Sequence, residues 1–151
     1  MTTLKSGDNA PKFSATDQHG KQISLESLKG KKVVLYFYPK DDTPGCTVEA
    51  CNLRDNHNHL INNGYVVLGV SPDPIKAHLK FTEKYELPFS LFPDVEKKII
   101  QDYGVWGTKK FMGKNYDGVF RTTFVIDENG VIDKVFTKVD TKNHTNQILE
   151  P

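Results

Sequence analysis

The chain has 151 residues, 37% of them apolar and 26% charged, a length and balance suited to one globular domain spanning residues 1–151. Folding a chain of this size removes roughly 68–70% of the unfolded surface from water, enough for a substantial core. Twenty basic against nineteen acidic side chains leave a formal charge of +1, which excludes the electrostatic footprint of a nucleic-acid or membrane-surface binder.

Residues 1–32 read as a polar lead-in. Within it, residues 13–17 are weakly strand-like and 18–21 form a turn before Ile23, Ser24 and Leu25. Residues 33–38 (Val-Val-Leu-Tyr-Phe-Tyr) make a continuous β-branched, aliphatic and aromatic run, which predicts a strand covered on both faces. Helical spacing then starts at Pro44, with proline at the first helical position and Thr43 as N-cap, and runs to Asn62-Asn63-Gly64. Residues 65–70 are a second buried strand, so 33–70 form a βαβ unit. Asp73-Pro74 opens another helix carrying Ala77, Phe81 and Tyr85 on one face, followed by a short strand at 89–92. Asp94 is expected to cap a third helix ending at Gly104, and the glycine-punctuated, aromatic stretch 105–118 reads as a long loop. Residues 122–126 and 131–136 flank Asp127-Glu128-Asn129-Gly130, a hairpin signal in which Asn-Gly supplies the positive φ angles. A helix from about Asn143 closes the chain. This order predicts an α/β fold with a mixed central sheet and helices on both faces.

No run approaches the ~20 apolar residues of a membrane span, and Met1–Asp8 carries no signal-type apolar stretch, so a cytoplasmic location is the expectation. The Lys31-Lys32, Lys97-Lys98 and Lys109-Lys110 pairs read as solvated surface. The only two cysteines, Cys46 and Cys51, lie at the start of the helix that follows the first buried strand. Cytosolic disulfides of mesophiles are usually transient, catalytic or redox-sensing, so a structural staple is disfavoured.

Five residues of helix advance about 7.5 Å and turn roughly 140° net. Cys46 therefore shares the apolar face with Ala50, Leu53, His57 and Leu60, and Cys51 lies with Asp55 and Asn58 toward water. A disulfide needs Cα atoms within about 7 Å and facing Cβ vectors, which regular helix does not provide. Bonding of the two sulfurs requires the first turns to unwind. In the first turn, unpaired N–H groups and the helix dipole favour thiolate over thiol at Cys46, and a neighbouring cation would add to this. Such a thiolate gives a sulfenic acid with peroxide, and a second thiol converts that to a disulfide. From spacing alone, a cysteine on an apolar helix face is more often simply core. C-x-x-x-x-C is a weak motif, and the lack of C-x-x-C disfavours a thioredoxin-type dithiol reductant. Zinc is disfavoured because the two thiols point apart and His57 and His59 do not share a face with both.

Taken together, the motifs resemble a peroxiredoxin of the bacterioferritin-comigratory, or Q-type, subfamily over nearly the whole chain. They are Gly7-Asp8-x-Ala10-Pro11-x-Phe13, Tyr36-Phe37-Tyr38-Pro39, Thr43-Pro44-Gly45-Cys46-Thr47-x-Glu49-Ala50-Cys51, Leu53-Arg54-Asp55, Gly69-Val70-Ser71, Tyr103-Gly104-Val105-Trp106-Gly107, Gly113-Lys114-x-Tyr116-x-Gly118, and Arg121 before Thr123-Phe124-Val125-Ile126-Asp127. The resemblance implies a thioredoxin-like fold with an N-terminal β extension and thiol-dependent reduction of hydrogen peroxide and organic hydroperoxides, without metal, haem or other cofactor. It implies Cys46 as peroxidatic nucleophile and Cys51 as resolving thiol. Their intramolecular disulfide would be reduced by thioredoxin or a glutaredoxin-like dithiol donor. Thr43 and Arg121 would act on thiolate and peroxide, and Pro39, Thr43, Gly45 and Arg121 would line the substrate pocket. Resolution within one chain suggests a monomer. Arg121 meets Cys46 if its strand runs antiparallel to 33–38 as a neighbour. Trp106 and Tyr116 read chiefly as packing residues. The stretch after His144 is shorter than the amphipathic final helix of the family. Two other uses of the thiol pair are a non-catalytic peroxide-sensing switch for a protein partner and a general dithiol oxidoreductase, the latter opposed by the missing C-x-x-C.

Overall fold

The computed structural model describes residues 2–150. In chain order, β1 (Ser14–Thr16) and β2 (Gln22–Ser24) form a short antiparallel hairpin that stands apart from the main sheet. Asp17 builds its turn: one carboxylate oxygen accepts the N–H groups of His19 and Lys21, each at 2.9 Å, and the other accepts the Ser90 hydroxyl at 2.7 Å. A 3-10 turn (Glu26–Leu28) leads to β3 (Lys32–Phe37), then α1 (Pro44–Asp55), α2 (His57–Asn62), β4 (Tyr65–Ser71), α3 (Ile75–Tyr85) and β5 (Ser90–Pro93). There follow α4 (Lys98–Asp102), the pair β6 (Trp106–Phe111) and β7 (Lys114–Val119), β8 (Thr122–Ile126), β9 (Ile132–Phe136) and α5 (His144–Leu149).

The main sheet has the order β5-β4-β3-β8-β9, with β3, β4 and β5 parallel and β8 and β9 antiparallel to their neighbours. The unbroken apolar run of β3 follows from its central place, because both faces of that strand are covered. Val33, Leu35 and Phe37 pack with Ile99 and Ile100 of α4 and with Phe13, Ile23 and Leu25 of the N-terminal segment. Val34, Tyr36 and Tyr38 pack with Cys46, Ala50 and Leu53 of α1, Leu60 of α2, Phe81 of α3 and Ile148 of α5. Each such large side chain contributes about 1.5–3 kcal/mol by leaving water. Gly69 admits the Tyr36 ring beside it, since a Cβ there would sit 2.9 Å from the ring. The fold is thioredoxin-like, with helices on both faces of a mixed sheet, as expected.

Four local expectations are corrected. Residues 105–118 are not a loop: β6 and β7 pair from Trp106↔Val119 to Phe111↔Lys114, around a two-residue turn in which Met112 (φ 50) and Gly113 (φ 79) are both left-handed. Most of this ribbon is half-buried or exposed, so no apolar alternation marks it. The helix predicted from Pro44 to Gly64 is broken at Asn56 (φ −109, ψ 13), whose side-chain amide donates to the Asn52 carbonyl at 2.8 Å and competes with the helical ladder. Asp94 caps α4 from a distance, since the N-cap position itself is Lys97. Its carboxylate accepts the Ile100 N–H at 2.8 Å, inside a helix that begins at Lys98. In the β8–β9 turn only Gly130 has positive φ (80°), and the Asp127 carboxylate accepts the N–H groups of Asn129 and Val131 in place of a left-handed Asn129.

Candidate active site

β3 ends against β4, where the Tyr38 N–H donates to the Val70 carbonyl at 3.1 Å, and the chain then loops over residues 39–43 to the first turn of α1. The loop is tied down from below. The Tyr38 hydroxyl donates to Asp41 Oδ1 at 2.6 Å, and Asp41 Oδ2 meets His78 Nδ1 at 2.6 Å. His78 is fully buried in α3, and its Nε2 meets the Phe92 carbonyl at 3.1 Å. The Asp41 N–H donates to Asp73, which also accepts the Ser71 hydroxyl. Asp41, Asp73 and His78 bring one ligand-type atom each within 4.8 Å of one another, yet both Asp41 oxygens, Asp73 Oδ2 and both His78 nitrogens already serve hydrogen bonds within the protein. Their arrangement is that of a loop anchor. Asp42 stands in the left-handed region (φ 56), with its carboxylate held by Lys84 Nζ at 2.8 Å and the Tyr85 hydroxyl at 2.9 Å.

Pro39 and Thr43 are half-buried in this loop. Thr43 is the N-cap residue of α1 by position, but its side chain does not cap: the hydroxyl donates to the Lys40 carbonyl at 2.8 Å. That bond commits its proton to the loop backbone. Pro44 starts α1 with the fixed φ suited to a first helical position. Cys46 follows in the same turn, 2% exposed, at the positive end of the helix.

Arg121 precedes β8. The antiparallel register Phe37↔Thr122 places it just beyond the end of β3, over the first turn of α1. Its Nη2 donates to Cys46 Sγ at 3.3 Å and its Nη1 to Glu49 Oε1 at 2.6 Å. Gly45 makes this approach possible, because a Cβ at that position would lie 3.1 Å from Arg121 Nη2 and press on the guanidinium. Sulfur and carboxylate both hold the guanidinium in its cationic form against the effect of burial. Lys109 of β6 brings a second cation to the neighbourhood. Its ammonium donates to the Val119 carbonyl at 2.9 Å and is held below its ordinary pKa by burial and then by Arg121.

Glu49 was quoted in the sequence motif without a role, yet it is a central group of the site. It lies one turn after Cys46 on the same face and is fully buried, and burial pushes its carboxyl up to about 7 against the opposing Arg121. A glutamate three residues from the thiol, on the apolar side of its helix, is the signal that could have found it. Its second oxygen, Oε2, and the Tyr36 hydroxyl are buried without a hydrogen-bond partner.

Cys51 is half-buried on the next turns of α1, and both thiols are free. In this regular helix they cannot bond, as the spacing predicted. The helix just beyond Cys51 is held at several points. Arg54 Nη1 donates to the Tyr85 carbonyl at 2.8 Å, and Asn52 Oδ1 accepts the Thr145 N–H and hydroxyl of α5, each at 2.9 Å. Because Tyr85 also holds Asp42, the end of α3 ties down the chain on both sides of the two cysteines.

A half-buried second thiol and a buried first thiol under an arginine, at the first turn after the central strand of a thioredoxin-like sheet, define a thiol-redox protein. The AhpC/TSA family model matches residues 6–135. The chain is 48% identical over 149 residues to the peroxiredoxin Bcp of Escherichia coli strain K12, covering 99% of this chain and 96% of that protein. Among solved structures it is similar to the bacterioferritin comigratory protein of Xanthomonas campestris, studied for alkyl peroxide reduction, with TM-score 0.84 and 31% identity, covering 91% of this chain and 87% of that one. Peroxidoxin BcpB of Mycobacterium tuberculosis gives TM-score 0.83 and 33% identity, with 95% and 93% covered. The chain belongs to the AhpC/TSA family and, within it, to the Bcp or Q-type peroxiredoxins.

Proposed function

We propose that this chain, as one peroxiredoxin domain, reduces hydrogen peroxide and organic hydroperoxides through Cys46 and Cys51. The observation that carries the reading is the Arg121 Nη2 contact with Cys46 Sγ, 3.3 Å long, at the first turn of α1. An ionised sulfur is the better acceptor for that N–H, so guanidinium and helix terminus both select the nucleophilic form. The Cys46 thiolate attacks one peroxide oxygen. The S–O bond forms, the O–O bond breaks, and the departing alkoxide or hydroxide takes up a proton to leave as alcohol or water. Donors aimed at that second oxygen lower the barrier, and Arg121 offers N–H groups in a fixed plane. Thr43 joins them once its hydroxyl leaves Lys40, while Pro39 and Gly45 shape the approach.

The Cys46 sulfenic acid then reacts with Cys51. The S–S bond forms, water leaves, and a dithiol donor such as thioredoxin or a glutaredoxin-like protein reduces the disulfide. In sum, one hydroperoxide and two thiols give an alcohol, water and a disulfide. The chemistry calls on no metal or cofactor. A monomer suffices because both thiols lie in one chain. No helix among the described residues is long and apolar enough to cross a membrane, and the cytoplasm, with its dithiol reductants, suits the cycle.

The test is turnover. With thioredoxin, its reductase and hydrogen peroxide, the protein is expected to consume NADPH continuously, and Cys46→Ser to consume none. A single stoichiometric oxidation without turnover would favour the sensing switch, and normal turnover by Cys46→Ser would remove Cys46 as nucleophile.

A further inference from the structure

Glu49 is also approached by His144, the first residue of α5, which is fully buried although its helix is short. Its Nε2 is 3.8 Å from the unpartnered Glu49 Oε2 and 2.8 Å from the Thr123 hydroxyl. Its Nδ1 is 2.7 Å from Gln147 Oε1. That Gln147 atom also accepts the Asp140 N–H at 2.9 Å, which identifies it as the amide oxygen. An acceptor facing Nδ1 requires the proton to be on Nδ1. Burial holds the imidazole below its ordinary pKa and so neutral, with Arg121 acting the same way and Gln147 and Asp140 opposing. Nε2 is then bare. It accepts the Thr123 hydroxyl and has no N–H to offer the carboxylate oxygen 3.8 Å away, which has no donor.

We propose that His144 is a positioning residue of the peroxidase site: fixed as the Nδ1–H tautomer by Gln147, it governs the charge on Glu49 and thereby the share of Arg121 left to Cys46. An Nε2 without a proton leaves the buried Oε2 with no donor, which disfavours the carboxylate and so favours the protonated carboxyl. When Glu49 is anionic, the guanidinium divides its charge between carboxylate and sulfur. When Glu49 is protonated, the sulfur has that charge to itself. The other titratable groups around this pair are the Tyr36 hydroxyl from β3, Cys46 on α1, Arg121 before β8 and Asp140 ahead of α5. None of them donates a hydrogen bond to Oε2. The last helix of the fold is thus coupled to the thiol through one chain of side chains, Gln147–His144–Glu49–Arg121–Cys46.

The inference rests on the peroxidase reading, and its test separates the two. In the reduced wild-type protein, the Glu49 side-chain carboxyl is followed by carbon NMR against pH. It is expected to titrate near pH 7, and titration in the ordinary carboxylate range overturns the proposal. Gln147→Glu keeps an acceptor for both His144 Nδ1 and the Asp140 N–H but stabilises the imidazolium, whose Nε2 proton then serves Glu49. The Glu49 midpoint is expected to fall by at least one pH unit. The pH dependence of Cys46 oxidation by one equivalent of hydrogen peroxide should shift with it. His144→Gln, which offers an amide N–H near the same place, should shift both in the same direction. Unmoved Glu49 titrations in folded, peroxide-consuming variants overturn the role of His144 alone. A wild-type protein that consumes no peroxide while Glu49 titrates near 7 defeats the peroxidase reading instead.

Discussion

Two buried carboxylate–histidine pairs flank the start of α1, and they are built differently. Below the loop, Asp41 and His78 lie 2.6 Å apart, both Asp41 oxygens have partners, and both His78 nitrogens meet oxygen. Beside the thiol, Glu49 and His144 stand 3.8 Å apart, and one Glu49 oxygen has no partner. Satisfied buried networks fix one conformation, whereas an orphaned carboxylate oxygen is a group whose charge can change at modest cost. The first pair therefore reads as anchorage and the second as part of the working site, with only the residues of α1 and the adjoining loop between them.

Breaking the anchor should have the largest effect on stability. His78→Phe leaves Asp41 buried without its main partner, and a loss of about 3–5 kcal/mol is expected in denaturant unfolding. A loss below about 1 kcal/mol would mean that the pair does not hold the loop. Arg121→Ala acts on the other side. It removes the donor to Cys46 and should slow Cys46 oxidation by about 10²–10³-fold, the usual cost of losing one preorganised donor. A rate within threefold of wild type would remove Arg121 from the mechanism.

The third test compares stability curves with and without the orphaned carboxylate. With its carboxyl raised from 4.5 to about 7, folded Glu49 keeps a proton between those values that the unfolded chain has lost. The stabilisation from this proton is whole below about pH 4.5 and declines as pH rises to about 7. His144, held below its ordinary value, has the opposite slope below pH 6.5, so the difference between wild type and Glu49→Gln is the informative quantity. That difference should fall by on the order of 2–3 kcal/mol across the window. A flat difference curve would place Glu49 among ordinary ionised carboxylates. The smallest effect is expected at Asn52→Ala, which frees α1 from Thr145 of α5. It should lower stability by about 1–2 kcal/mol and speed closure of the disulfide after sulfenic acid forms. Slower closure would show that α5 guides the unwinding segment instead of restraining it.

The contrast between the pairs also marks what the sequence could disclose. β3, β4 and β8 were legible because both of their faces are buried, which leaves continuous apolar runs. The proposed nucleophile and its cation were legible because a strand-to-helix junction and an antiparallel neighbour fix where Cys46 and Arg121 meet. The β6–β7 ribbon was not, since a mostly wet strand pair has no apolar period, and its turn uses Met112 where glycine or asparagine would have given the signal. The break at Asn56 depends on one amide competing for a carbonyl, which helical periodicity does not register. His144 escaped notice for a different reason: its bearing on the site arises from docking of α5 against α1, and nothing local to residue 144 encodes that.

The central claim is that one buried sulfur takes oxygen from a peroxide and then bonds to a sulfur that the folded helix keeps out of reach. Peptide mapping of the reduced protein after one equivalent of hydrogen peroxide tests it most directly. A single cross-linked peptide joining Cys46 to Cys51, with no free thiol remaining, is the predicted result. Recovery of both cysteines as free thiols, or a disulfide between two chains in place of the internal one, would contradict it.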